Sequence, residues 1–468
     1  MEHKVYTDLR LLTAVYVEVL ALMCAFVVYY RLEWPSHLKD IVTSGIWIMF
    51  LLSVSLSVIA AFLIRNRYRR DHPSVKTSHL TVALGLVSLL VVFLCSEAVV
   101  RIMTTATPEG AAVGDIMLLP REWSKVMLNK RLIWDEFSSR HGVFVFDEML
   151  GWTVGNNRHG TGPHGEAYFS SVEGLRVGSS GLSLVGSSSK MIALLGDSYT
   201  FGQDVNYEDS WGYRLERKLR DGTRVLNFGV PGYGIDQAYL RYERDVRRWK
   251  PAVVLLAFIS HDLMRSTMVY YQIGFPGAHV PGAKPRLTIQ NGRLVPINLP
   301  LPRPESLLQS GYITDLPFVD YDRTYRAADW TWHLYQVSYL LRFAVTWNSG
   351  QQGLLINEET RSLNTLVFQT FARRVREDGS IPIIVFLPSF TDYRDAAGQP
   401  IDSNWPPLRI LVESGVDYIN ATPCLNSISR DQTAFTTGWH YTPAANELIA
   451  ECLHAALRQK IPWLDSAL

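Results

Sequence analysis

The stretch LLGDSYTFGQD, residues 194–204, is an apolar run that stops at Gly-Asp-Ser and turns polar at once. It completes MIALLG (191–196), which has the length and composition of a strand buried on both faces. A serine directly after such a strand lies at the sheet edge where α/β proteins carry their chemistry. Ser198 is therefore a candidate nucleophile. Because turns with Gly and Ser are common between strands and helices, this role needs support from partners elsewhere in the chain.

Apolar runs and helical segments alternate along the chain after this strand. Further strands are predicted at 224–229, 252–258, 382–388 and 416–420. Helices are predicted near 209–220, 235–249, 360–378 and 405–414, and a last helix begins at Pro443. Continuous apolar strands that alternate with helices predict an α/β fold with a parallel sheet covered on both faces.

Residues 263–358 interrupt this alternation and are interpreted as one long insertion. The stretch RLTIQNGRLV (286–295) predicts a hairpin that turns at Asn291-Gly292, and a proline cluster follows it. In the aromatic segment DWTWHLYQVSYLLRF (329–343), Trp330 and Trp332 could stack on sugar rings. The helical spacing of Trp332, Tyr335 and Tyr339 favours packing within the insertion instead.

Three long apolar segments lie near the N-terminus, at Leu11–Tyr30, Ile41–Ile64 and Leu80–Val100. Each is near or above the roughly 20 residues that span a bilayer as a helix, so three transmembrane helices are predicted. A secretory signal is disfavoured, because its apolar region has only about 7–15 residues and is followed by a small-residue cleavage site. Glu18 and Glu97 interrupt the spans and are candidate contacts to membrane-protein partners.

Basic residues set the expected orientation of these spans. The loop RNRYRRDHPSVKTS (65–78) is rich in arginine, so the positive-inside rule puts it and the N-terminus in the cytoplasm. We therefore expect a membrane domain at 1–104, a linker at 105–119 and an extracytoplasmic domain at 120–468. The expected location is a bacterial inner membrane, with membrane lipid as a partner and the large domain in the periplasm.

Composition narrows the range of ligands. The net charge of +1 gives no global attraction to nucleic acid. The twelve histidines show no ligand-like spacing, so no metal site is predicted. The sequence GVPGYG lacks the G-x-G-x-x-G spacing of a dinucleotide site, and no cofactor is expected. An oxidising compartment would permit a disulfide between Cys424 and Cys452, although the sequence does not show whether their geometry allows one.

Three later segments follow predicted strands or precede the last helix. NFGVPGYG (227–234) includes Gly232, whose backbone N–H could approach a developing oxyanion. FISHDL (258–263) brings His261 to the same edge of the sheet. His440 lies just before the final helix, and its imidazole could reach Ser198 from there. The sequence thus predicts a serine–histidine site.

These segments resemble the four sequence blocks of the SGNH/GDSL-type hydrolases. In order they are LLGDSYTFG, VLNFGVPGYG, VVLLAFISHD and TGWHYTPAAN. The upstream FDEMLGWTVGNN (146–157) and SSVEGLR (170–176) are similar to the entry segment of membrane-anchored members. The resemblance covers about 143–460 apart from the insertion. It implies a three-layer SGNH-type sheet flanked by helices, here preceded by three transmembrane helices.

The resemblance also assigns roles to single residues. It implies that Ser198 is the nucleophile, that the N–H groups of Ser198 and Gly232 hold the oxyanion, and that His440 is the base. His261 stands where the family has an oxyanion-binding asparagine, and its imidazole N–H could replace that amide. Thr437 stands where the family has the aspartate that orients the base. A backbone carbonyl, Thr437 or Asp431 could orient His440 instead.

The expected function is a membrane-anchored serine esterase that acts through an acyl-enzyme on acyl esters of a surface glycan or lipid-linked substrate. One alternative is an O-acyltransferase for an exported polysaccharide that uses the same residues. The other is a degenerate domain that binds a glycan or a membrane partner without chemistry, an interpretation that Thr437 and His261 favour.

Overall fold

The structure is a computed structural model that describes residues 78–107, 110–114, 116–138, 142–179, 190–219, 222–275, 282–350, 356–429 and 433–464. The predicted spans Leu11–Tyr30 and Ile41–Ile64 lie outside the described residues, as does Asp431. The chain divides into two compact units. One comprises Met1–Lys125 and Ala327–Gly353, and the other Val126–Arg326 and Leu354–Leu468.

The helices of the described residues, in chain order, are α1 Ser78–Met103, α2 Trp123–Ser138, α3 Ser198–Phe201, α4 Trp211–Lys218, α5 Ile235–Arg241, α6 Ser260–Arg265, α7 Tyr271–Gly274, α8 Pro304–Leu307, α9 Tyr339–Gly350, α10 Glu358–Glu377, α11 Phe390–Ala396, α12 Pro406–Ser414 and α13 Pro443–Lys460. The strands are β1 Thr104–Thr107, β2 Gly110–Val113, β3 Ile116–Met117, β4 Phe144–Asp147, β5 Gly151–Val154, β6 His159–Thr161, β7 Ala167–Ser170, β8 Arg176–Val177, β9 Met191–Leu195, β10 Arg224–Asn227, β11 Val253–Phe258, β12 Leu287–Gln290, β13 Arg293–Pro296, β14 Ile381–Phe386 and β15 Tyr418–Asn420.

The smaller unit contains α1, α9 and an antiparallel sheet of order β1-β2-β3. This sheet occupies most of 105–119, the segment predicted as a linker. Glu97 joins α1 to α9 within this unit. Its carboxylate accepts hydrogen bonds from the N–H groups of Tyr339 (2.9 Å) and Leu340 (2.8 Å) at the start of α9. Orphan N–H groups at a helix start are stabilised by such a partner.

The third predicted span, Leu80–Val100, falls within α1. In the part of the chain that the structure describes, no helix has both the length and the apolarity to cross a membrane.

The aromatic part of the predicted insertion belongs to the smaller unit. The expected helical packing of Trp332 is wrong, since this ring is 66% exposed and α9 begins only at Tyr339. Trp330 packs instead, with its ring 5.7 Å from that of Trp123. Sequence spacing alone did not distinguish a helix from the short 3-10 turn that the structure has at Leu334–Val337.

The larger unit is built on an eight-stranded sheet of order β15-β14-β11-β9-β10-β8-β7-β6. The strands from β15 to β10 are parallel, whereas β8, β7 and β6 are antiparallel to their neighbours. The expectation of a purely parallel sheet is therefore corrected to a mixed sheet. The antiparallel edge comes from 159–177, where short strands joined by tight turns pair without crossover helices.

Alternate residues of the central strands enter two separate apolar cores. Ile192 and Leu194 of β9 pack on the face covered by α4 and α13, and Ala193 and Leu195 pack on the face covered by α5, α10 and α12. Since both faces of the sheet are covered, its central strands carry no polar face. The predicted three-layer α/β architecture is confirmed for this unit.

The predicted hairpin is confirmed, and the structure answers the question of a disulfide, which the sequence left open. The hairpin β12–β13 turns at Asn291 and Gly292, both with positive φ (51° and 72°), as a tight two-residue turn requires. Cys424 and Cys452 form a disulfide that joins a short 3-10 turn to α13.

Candidate active site

Ser198 is the first residue of α3, directly beyond the buried strand β9. Gly196 has a φ of +152°, and a Cβ there would lie 2.4 Å from the Ala257 carbonyl oxygen, so the turn needs glycine. Asp197 caps α3, because its carboxylate accepts a hydrogen bond from the Tyr199 N–H at 2.9 Å. The turn therefore fixes the serine at the carboxyl edge of the sheet.

A chain of hydrogen bonds runs from Ser198 through His440 to Asp204. The distance from Ser198 Oγ to His440 Nε2 is 2.9 Å, and that from His440 Nδ1 to Asp204 Oδ2 is 2.7 Å. The His440 side chain is 14% exposed and that of Asp204 only 1%. The structure thus brings Ser198 and His440 together, as the sequence predicted, and adds a carboxylate that the sequence analysis missed.

The Asp204 carboxylate is held in its charged form. Burial opposes ionisation, but the hydrogen bond and charge of His440, aided by the Thr436 hydroxyl at 2.9 Å, lower the pKa of Asp204 below its usual value. An ionised carboxylate only accepts hydrogen bonds, so the Nδ1 of His440 carries the proton. The lone pair of Nε2 then faces the Ser198 hydroxyl, which is the tautomer that a general base needs.

The loop after α3 delivers Asp204 with a backbone φ of +64°. Aspartate tolerates this left-handed conformation better than most residues. The Asp204 N–H donates a hydrogen bond to the Tyr168 hydroxyl at 3.0 Å, which fixes the loop against β7.

Gly438 lies against the same carboxylate from the other side. A Cβ at this position would lie 2.1 Å from Asp204 Oδ2. Real Cβ atoms do not approach so closely, and the carboxylate is held by His440 and Thr436. Only glycine therefore fits where the loop before His440 approaches the loop that carries Asp204.

Of the two orienting residues named from the sequence, the structure describes only Thr437. Asp204 occupies the position facing His440 Nδ1 that was expected for Thr437, and Asp431 lies outside the described residues. The neighbouring Thr436 donates to Asp204 instead. Asp204 is the last residue of the stretch LLGDSYTFGQD. Sequence order does not show which carboxylate a loop turns toward the base, so this position alone does not identify it.

The candidate oxyanion donors lie at the end of β9 and at the ends of the two strands next to it. Gly232 follows β10 and has a φ of +80°. None of the groups that the structure describes accepts a hydrogen bond from its N–H. The Ser198 N–H begins α3 and has no partner within that helix, since first-turn N–H groups have none.

His261 lies in the first turn of α6, which follows β11. Its ring contacts Phe275 with 6.0 Å between centroids. Burial, together with the charges of Arg265 and Arg394, lowers the pKa of His261 to about 3. The imidazole is therefore neutral near pH 7 and retains one N–H donor.

A buried cluster of Arg265, Asp262 and Asp197 holds the turn that carries Ser198. Arg265 donates to Asp262 at 2.5 Å and to Asp197 at 3.2 Å, and all three side chains are buried. Burial and the charge of Asp197 raise the pKa of Asp262 well above its usual value. Burial opposes the charge of Arg265, but Tyr271 and the two carboxyl groups outweigh it and raise the pKa of Arg265. This cluster anchors the residue that caps α3.

Among the described residues, no group of three or more His, Cys, Asp or Glu side chains is placed to hold a metal ion.

A serine, a histidine and an aspartate joined by hydrogen bonds at the edge of an α/β sheet form the arrangement of the serine hydrolases. Residues 192–301 match the family described as GDSL-like Lipase/Acylhydrolase. The chain therefore contains a GDSL/SGNH-type hydrolase domain and is an enzyme of the acylhydrolase class.

Solved structures of this class are similar to the chain. A lipase/acylhydrolase from Enterococcus faecalis is 12% identical with a TM-score of 0.31, over 58% of this chain and 97% of that one. A catalytic mutant of an acetylxylan esterase from Geobacillus stearothermophilus is 13% identical with a TM-score of 0.31, over 59% of this chain and 95% of that one. A comparison with curated proteins gave no match.

Proposed function

We propose that this enzyme hydrolyses acyl esters through an acyl-enzyme on Ser198, with His440 as the base and the Asp204 carboxylate as the group that orients it. The single observation that carries the proposal is the hydrogen-bonded chain of 2.9 Å and 2.7 Å from serine to histidine to aspartate. Such a chain both activates a hydroxyl and stabilises the imidazolium that forms.

In the first half of the reaction, Ser198 Oγ attacks the carbonyl carbon of the ester as its proton passes to His440 Nε2. The negative charge that develops on the carbonyl oxygen is stabilised by hydrogen bonds from the N–H groups of Ser198 and Gly232, with the neutral His261 as a third donor. When the tetrahedral intermediate collapses, the bond to the alcohol oxygen breaks. His440 gives its proton to that oxygen, and the acyl group stays on Ser198.

In the second half, a water molecule gives a proton to His440 and attacks the acyl carbon. Collapse of the second intermediate breaks the bond to Ser198 Oγ, which takes the proton back from His440. The carboxylic acid leaves and the serine is restored. The charge of Asp204 stabilises the imidazolium in both halves.

Asp204 argues against the alternative of a degenerate, non-catalytic domain. That alternative depended on Thr437 standing where an aspartate was expected, and loss of such a carboxylate costs about 10⁴ in rate. A carboxylate 2.7 Å from Nδ1 removes this deficit. A domain that only binds has no need of a serine, a histidine and an aspartate in this order.

The test is hydrolysis of p-nitrophenyl acetate and butyrate by the purified full chain. We expect Ser198→Ala and His440→Ala each to lower kcat at least about 10⁴-fold. A serine-directed phosphonate should label Ser198 in the parent enzyme and not in Ser198→Ala. Turnover that survives both substitutions, or no turnover and no label in a folded protein, would contradict the proposal.

We propose further that the enzyme is tethered to a bacterial inner membrane, with the hydrolase domain outside the cytoplasm and a surface glycan or lipid-linked ester as substrate. The apolar segments Leu11–Tyr30 and Ile41–Ile64 and the arginine-rich loop of the sequence support the tether, and the Cys424–Cys452 disulfide supports an oxidising compartment. Fractionation of cells should recover the full chain with the membranes. Recovery in a salt-washed soluble fraction would contradict the tether.

Transfer of the acyl group to a sugar hydroxyl would use the same residues, with the sugar in place of water. Product analysis separates the two reactions. Free acid as the main product in the presence of a saccharide acceptor supports hydrolysis, whereas acylated acceptor supports the transferase.

A further inference from the structure

Trp439, the residue directly before His440, holds a large ring at the surface in an unusual backbone conformation. Its φ is +69°, and the residue is 45% exposed. Bulky residues rarely adopt positive φ, because the side chain crowds the backbone there. A glycine or an asparagine would fill this position with less strain.

The surroundings hold Trp439 in this conformation. Its N–H donates to the Thr436 carbonyl at 3.0 Å, and its own carbonyl accepts a hydrogen bond from the Tyr199 hydroxyl at 2.5 Å. Tyr199 follows Ser198, so the same contact ties the turn carrying the base to the turn carrying the nucleophile. Strained residues held in this way are concentrated at functional sites.

The exposed ring is paired with a second aromatic ring. Phe390, the first residue of α11 beyond β14, lies with its centroid 4.2 Å from that of Trp439 at an interplanar angle of 38°. Phe390 therefore covers one side of the Trp439 ring, and the other side stays exposed to solvent. The two rings therefore form an aromatic platform beside the catalytic histidine, defined here by Trp439 and Phe390.

We propose that this platform binds the sugar ring of an O-acylated saccharide, so that the substrate is a carbohydrate ester and Trp439 determines specificity. The inference rests on the proposed esterase function. A pyranose presents a flat face of C–H groups to an aromatic ring while its hydroxyl groups stay in water, which suits a half-exposed tryptophan. A long acyl chain would require an enclosed apolar surface instead.

Binding is tested without catalysis, in the full chain carrying Ser198→Ala. Calorimetry compares glucose pentaacetate, which has a sugar ring, with glyceryl triacetate, which has the ester groups but no ring. We expect Trp439→Asn, which suits the positive φ, to weaken glucose pentaacetate binding about 10-fold and Trp439→Phe to weaken it less than about 3-fold. Equal affinity of the parent and Trp439→Asn proteins for glucose pentaacetate would overturn the proposal.

Catalysis supplies the second readout. With Ser198 present, we expect Trp439→Asn to raise KM for glucose pentaacetate about 10-fold and to change kcat less, so that selectivity over glyceryl triacetate falls. Trp332→Ala removes another exposed tryptophan, from the smaller unit, and is the matched control. A parallel loss on both esters, or the same loss in Trp332→Ala, would contradict a sugar platform.

The two measurements separate failure of this inference from failure of the esterase proposal. Ring-dependent binding with no turnover of any ester would overturn the esterase, and with it the assignment of a carbohydrate ester as substrate. Turnover of both esters without dependence on Trp439 would overturn the platform alone.

Discussion

At the residue scale, the site depends on Asp204, a carboxylate from the loop after α3 that reaches His440 Nδ1 at 2.7 Å. Ser198 and His440 could be named from the sequence, because each directly borders a predicted element. Asp204 could not, since its partner lies more than two hundred positions away and only the folded loops bring them together. Its left-handed backbone is likewise a property of the folded loop.

Asp204→Asn tests this role of the carboxylate. The amide keeps the shape but cannot stabilise the imidazolium and favours the wrong tautomer, so kcat for p-nitrophenyl acetate should fall about 10³- to 10⁴-fold. Circular dichroism should show an unchanged fold. Thr437→Ala is the matched control and should change kcat less than about 3-fold. A larger loss of kcat in Thr437→Ala than in Asp204→Asn would identify Thr437 as the orienting residue instead.

Gly438→Ala tests the close approach of the two loops. The added Cβ would lie 2.1 Å from Asp204 Oδ2, so the carboxylate must move away from His440. We expect kcat to fall at least about 10²-fold, because a misplacement of about 1 Å has effects of this size. Gly311→Ala is the control, since the nearest atom to its Cβ would be 3.8 Å away. Full activity of Gly438→Ala would contradict the close approach of Gly438 to the Asp204 carboxylate.

At the scale of elements, the parallel strands β9, β10, β11, β14 and β15 could be predicted within a few residues. The signal is clearest for β9, β11 and β14, because a strand buried on both faces is an apolar run. The antiparallel strands β6, β7 and β8 could not, since they are short and carry mixed sequence such as His159–Thr161. Predicted helix 235–249 divides into α5, a π-turn at Tyr242–Val246 and a 3-10 turn at Arg247–Trp249, differences that side-chain periodicity does not resolve.

His261 on α6 makes stability depend on pH. Its pKa is lowered from 6.5 to about 3, so the unfolded chain binds a proton between these values and the folded chain does not. Stability is therefore fully present above pH 6.5 and is lost as pH falls toward 3. Between pH 7 and pH 5 the loss should be about 2 kcal/mol.

Urea unfolding at several pH values measures this effect. His261→Asn removes the titrating group, so the free energy of unfolding of this variant should fall less over the same range. Identical pH profiles for the parent and the variant would contradict the burial of a neutral imidazole at this position.

At the scale of the whole molecule, the division into units joins segments that are distant in sequence. Residues of Ala327–Gly353 belong to the same unit as the first part of the chain, whereas the sequence pattern predicts an insertion of the hydrolase domain there. Local patterns of hydropathy report which faces are buried but not which distant segment covers them. The parallel part of the sheet, by contrast, could be predicted from local sequence, because its inner strands are apolar by themselves.

The Cys424–Cys452 disulfide closes a loop with a sequence separation of 28 within the larger unit. A crosslink over a loop of this length lowers the conformational entropy of the unfolded chain, so Cys452→Ser should lower the free energy of unfolding by about 3.6 kcal/mol. Dithiothreitol should destabilise the parent protein by a similar amount and leave Cys452→Ser unchanged. Equal stability of the reduced and oxidised parent would contradict a structural disulfide.

The mechanism requires Ser198 to carry the acyl group during turnover. Acid quenching of the parent enzyme during hydrolysis of p-nitrophenyl acetate, followed by peptide mass spectrometry, locates the bound acetyl group. We predict acetylation of Ser198 in the parent and its loss in Ser198→Ala. Turnover with no acyl group on Ser198, or with the acyl group on another side chain, would contradict the mechanism.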